Sequence, residues 1–175
     1  MALSTTNGHF SQVTPVFLAT KLTGFHLRTT IISLGMTYED RTFYAEFTDF
    51  DQKQISREML QDTIKKLSFR NEPNFVDVLE NNIEMKGDGC EVAREMLLWL
   101  PEGFELWTDG LAYQWPLLHE ILPDLKTPFD ICTAMRMKNL DPTVSREIFS
   151  GGYVEGEDVL YDAKLVEACY RRITQ

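Results

Sequence analysis

The chain has 175 residues, with 17 Lys and Arg against 27 Asp and Glu, a formal charge of −10 and an isoelectric point near 4.7. That length fits one domain of ordinary size, and 43% hydrophobic with 25% charged residues excludes disorder and collagen-like repeats as descriptions of the whole chain. No apolar run reaches the roughly 20 residues of a membrane span, and the acidic balance excludes a broadly basic, phosphate-binding surface.

Residues 1–14 read as a polar leader without the basic and apolar regions of a signal peptide, so a cytoplasmic location is expected and residues 15–175 form a single domain. Cys90, Cys132 and Cys169 are widely spaced with no C-x-x-C pair, which points to three reduced, buried thiols. Val16 to Ala19 is a short apolar strand. Thr29 to Met36 is β-branched, and Thr42 to Phe47 carries the aromatic residues of a pleated surface. Short turns between these three strands predict an antiparallel meander.

The spacing of Met59, Leu60, Ile64 and Leu67 predicts a surface helix over 56–67. A loop over 70–74 follows, and Phe75, Val76, Val78 and Leu79 are read as a further turn or helix. Val92, Met96, Leu97 and Leu100 predict a helix over 91–100, stopped by Pro101. Phe104 to Thr108 alternates as a strand. A helix is predicted over 113–122, a short strand over 129–132, a short helix over 133–140 and a last helix from about Asp158 to Ile173. Strands first and helices after them give an α/β class: a mixed central sheet whose first three strands are antiparallel, with flanking helices.

Several strings on these elements resemble the small RNase T-like, DEDDh-type 3′-to-5′ exoribonucleases, whose fold is RNase H-like. Leu18-Ala19-Thr20-Lys21, followed by Ile31 to Gly35, is similar to that family's first motif, hydrophobic-Asp-Thr-Glu and then an Ile-Ser-Ile-Gly strand. Ala112-Tyr113-Gln114 resembles the second motif, Ala-Tyr-Asp. Glu157-Asp158-Val159-Leu160-Tyr161-Asp162-Ala163 resembles the third, His-x-Ala-Leu-x-Asp-Ala. The resemblance spans about residues 15–173.

In that family four carboxylates hold two divalent metals about 4 Å apart, which activate water and stabilise the leaving oxygen. At the matching positions this chain has Ala19, Lys21 and Gln114 in place of carboxylates and Glu157 in place of the general-base histidine; only Asp162 keeps a ligand-type side chain. Lys21 brings an ammonium, which repels a divalent cation. The resemblance therefore implies a degenerate site with no metal cofactor, in which Lys21 pairs with Asp162. The alternatives are an active exoribonuclease that uses Mg²⁺ or Mn²⁺ on a rearranged acidic set, and a structural subunit or scaffold. Glu157 reads as a solvated acid at a helix start.

Other chemistries find no support. His9, His26 and His119 lack metal-ligand spacing, and Ser150-Gly151-Gly152 lacks the Gly-Lys-Ser/Thr of a phosphate loop. Lys65, Lys66, Arg70, Arg171 and Arg172 suit solvated helix surfaces. Trp107 and Trp115 suit a core, while Tyr113, Trp115 and Asp109 are the candidates to line a groove for a nucleic-acid end or a partner. The charge favours a protein partner over nucleic acid, with a single-stranded RNA end as the other possibility, and the family resemblance implies a homodimer.

Overall fold

A computed structural model describes residues 13–142 and 159–175. Seven strands form one mixed sheet: β1 (Thr14–Leu22), β2 (Ile31–Tyr38), β3 (Arg41–Phe47), β4 (Phe75–Leu79), β5 (Asn82–Gly87), β6 (Phe104–Thr108) and β7 (Phe129–Asp130). Their spatial order is β4-β5-β3-β2-β1-β6-β7. β1 and β3 flank β2 antiparallel, β5 joins β3 in parallel, and β6 and β7 extend the other side in parallel. The helices are α1 (Arg57–Asp62), α2 (Gly89–Trp99), α3 (Leu111–Ile121), α4 (Ile131–Met137) and α5 (Val159–Thr174).

Alternation along the strands divides the core between the two faces of the sheet. Val16, Leu18, Phe43, Ala45, Phe47 and Met85 point to the face where Val92, Ala93 and Met96 of α2 and Leu118 of α3 complete the main core. Phe17 and Ala19 point to the opposite face, where α5 lies against β1 and β2. Gly35 permits that close approach. A Cβ there would stand 2.7 Å from the Val159 carbonyl carbon and 2.8 Å from the Leu160 nitrogen, both backbone atoms. α2 starts on a reciprocal capping box, in which Asp88 accepts from the Glu91 N–H and Glu91 accepts from the Asp88 N–H.

Several expectations need correction. Residues 75–79 form a strand instead of a turn or helix, and its partner over 82–87 is a further strand that the sequence reading does not anticipate. The strand expected over 129–132 ends at Asp130, because the Asp130 carboxylate accepts from the Cys132 N–H at 2.9 Å and starts α4 there. Finally, Cys169 is buried, but Cys90 is exposed and Cys132 half-buried. The helix expected over 56–67 is α1 followed by a 3₁₀ turn at Ile64–Lys66.

Candidate functional site

Two of the motif-matched positions lie on β1, and the strand's period of two turns both Ala19 and Lys21 toward α5. Ala19 is 2% exposed and sits in an apolar cluster with Tyr44, Val159 and Ala163, against which Phe69 and Leu160 pack. No polar atom is available on that side chain. Two residues further along, Lys21 Nζ donates to Oδ2 of Asp162 in the first turn of α5. This is the ion pair that the motif resemblance leads one to expect. Both side chains are half-buried, so the pair is partly shielded from solvent. The positive end of α5 adds to the field that holds Asp162.

Gln114 is buried on α3 and tucked back into the turn after β6. Thr108 Oγ1 donates to its carbonyl oxygen, and a Cβ at Gly110 would come within 2.3 Å of its amide nitrogen. Its oxygen is thus engaged within the β6–α3 turn. Glu157 lies outside the described residues.

The three groove candidates are placed differently from one another. Tyr113 is 43% exposed and meets the exposed Phe25 edge-on, with ring centroids 5.2 Å apart. Trp115 packs against the main core, its ring 5.1 Å from His119. Asp109, at the end of β6, lines a crevice with Ile131, Met135, Val166 and Cys169. Phe25 belongs to a tightly bonded β1–β2 loop: Thr23 Oγ1 donates to Gln54 Oε1 at 2.6 Å and accepts from the Thr30 N–H at 2.8 Å. Trp107, half-buried, stacks on Phe129 at 4.9 Å.

Sequence reasoning missed Glu46. The registers place Lys21, Ser33, Glu46 and Lys86 in one row across β1, β2, β3 and β5. Glu46 is 1% exposed; its Oε1 accepts from the Tyr44 hydroxyl at 2.7 Å and from the Phe69 N–H at 2.9 Å. Oε2 has no partner among the described residues. Burial, reinforced by the hydrogen bond to this carboxylate, pushes the Tyr44 hydroxyl above its ordinary value of 10.0. Lys86 Nζ donates to the carbonyls of Phe69, Arg70 and Glu72 at 2.9, 3.0 and 2.7 Å. Glu46 and Lys86 together pin the segment that carries Phe69 onto the Ala19 cluster. The one signal in the sequence was an acid two residues from a tyrosine in the otherwise apolar run from Phe43 to Phe47.

Similarity to solved structures lies at the level of the fold. The Saccharomyces cerevisiae Pan2 pseudoubiquitin hydrolase–RNA exonuclease module, solved with AAGGA RNA, aligns with a TM-score of 0.54 at 11% identity, covering 98% of this chain and 30% of that one. The Neurospora crassa Pan2 catalytic unit, with its protease and nuclease domain, aligns with a TM-score of 0.47 at 11% identity, covering 92% of this chain and 27% of that one. This chain thus spans under a third of the length of either. No family model and no curated protein matches the sequence. The chain has an exonuclease-like α/β fold.

Proposed function

We propose that this chain is a catalytically inactive 3′-to-5′ exonuclease-like protein that acts as a binding module through a protein partner. The observation that carries the reading is the Lys21 ammonium on Asp162, the one carboxylate kept from the resembling motifs. A pair of Mg²⁺ ions needs a set of hard anionic oxygens. The matching positions among the described residues offer a methyl group, an ammonium, an amide oxygen already engaged by Thr108 and a single carboxylate. These residues do not fit two metal ions. The Phe69 side chain against Ala19 and Tyr44 supports the same reading, because apolar packing stands where the family's first carboxylate would.

A charge of −10 opposes association with a free polyanion and favours a protein surface of opposite sign. The test is incubation of a 5′-labelled single-stranded RNA with the protein and Mg²⁺ or Mn²⁺. The expected result is undegraded RNA with both the natural protein and Asp162→Ala. Shortening from the 3′ end that Asp162→Ala abolishes would overturn the proposal.

A further inference from the structure

Among the described residues β4 is an outer strand of the sheet with no cover on its free edge. Val76, Val78 and Leu79 are 43%, 60% and 61% exposed. Alternate residues of such a strand turn their N–H and C=O groups away from the neighbouring strand, leaving a template for one more. Val76 and Val78 stand opposite Met85 and Ile83, both of which belong to the main core. The two valines therefore carry the apolar face of the sheet past its cover of helices.

The other face of β4 carries a charge conflict. Asp77 stands directly opposite Glu84 across the β4–β5 ladder, both exposed, and like charges in that position are destabilising. Neither has an ion-pair partner among the described residues. Lys86, two residues along β5, does not relieve them, because its ammonium is committed to three backbone carbonyls.

We infer that the free edge of β4 takes up an extended segment of a partner protein as an eighth strand, with a Lys or Arg beside Asp77 and apolar residues beside Val76 and Val78. Main-chain hydrogen bonds would supply the affinity, and the apolar-basic-apolar alternation the specificity. A second copy of this chain fits poorly in the same place. The fully paired antiparallel register would set Asp77 against Asp77 with a Glu84 behind each, a row of four carboxylates between molecules that each carry −10.

The probe is a labelled octapeptide of alternating valine and lysine, with a control of the same composition in which the lysines are clustered. Saturable binding of the alternating peptide, with hydrogen-exchange protection of residues 75–79, is the expected result. Asp77→Lys, at an exposed position, should weaken it about tenfold and allow an alternating valine–glutamate peptide to bind instead. Equal binding of the clustered control, an unchanged affinity in Asp77→Lys, or saturating peptide without protection at β4 would overturn the inference. So would sedimentation of the free protein as a dimer whose β4 amides are already protected.

Discussion

By the motif resemblance Lys21 stands at the position of a glutamate, and its ammonium rests on Asp162, the acid that the resemblance keeps. The pairing was legible in the sequence, since a carboxylate that the resemblance leaves without a metal needs a cation or must be desolvated alone. With both side chains half-buried, a double-mutant cycle on Lys21→Ala and Asp162→Ala should give a coupling of about 0.5–1 kcal/mol in chemical denaturation, falling with salt. A coupling of zero would show that the two side chains do not hold each other in solution. Glu46 was not legible. On a strand read alone, Tyr44 and Glu46 look like the wetted face, and only the packing of α5 and of the 67–74 segment buries them. Glu46→Ala leaves the Tyr44 hydroxyl and the Phe69 N–H without their acceptor, and should cost about 2–4 kcal/mol by denaturant unfolding. Glu46→Gln keeps one acceptor oxygen and should cost less.

Tyr44 also predicts a pH dependence. Its folded hydroxyl holds its proton above the ordinary value of 10.0, so the unfolded chain binds fewer protons once the pH passes that value. The contribution is full below pH 10 and is lost as the pH rises further. Tyr38, also raised by burial although Arg41 opposes the shift, acts in the same direction. Urea midpoints between pH 9 and about 11.5 should therefore fall less steeply in Tyr44→Phe than in the natural protein. Parallel curves would contradict the assignment.

At the scale of elements, the strands rich in β-branched and aromatic residues and the helices with a clear apolar stripe were legible: β1 to β3, α2, β6 and α5 follow from local pattern. β4 was not. Phe75, Val76, Val78 and Leu79 satisfy helical spacing as well as a strand, and a run this short leaves periodicity undecided. The tie is broken by the turn at Glu80, with φ at 54°, which folds β5 back along β4. α4 begins early for a similarly local reason, the capping carboxylate of Asp130. Gly35 fixes how close α5 lies to the sheet, and with it the reach of Asp162 to Lys21. Gly35→Ala would press a methyl group into backbone that cannot rotate away, and should destabilise the protein by about 2–3 kcal/mol in thermal or denaturant unfolding. A neutral effect would mean that α5 shifts freely over β2.

For the whole molecule, the order and pairing of the strands place β1, the β6–α3 turn and the start of α5 beside one another. The side chains brought there are suited to packing and ion pairing, and fold alone does not decide function. The strings around Ala19, Lys21, Gln114 and Asp162 could be found from the sequence by their local resemblance and their order along the chain. The apolar filling of the site could not, because Phe69 arrives from a distant loop held by Glu46 and Lys86. The most direct measurement is a calorimetric titration of Mn²⁺, and then of Mg²⁺, into metal-free protein alongside Asp162→Ala. The account predicts no saturable heat and no thermal stabilisation in either protein; saturable binding of two ions per chain, abolished by Asp162→Ala, would contradict it.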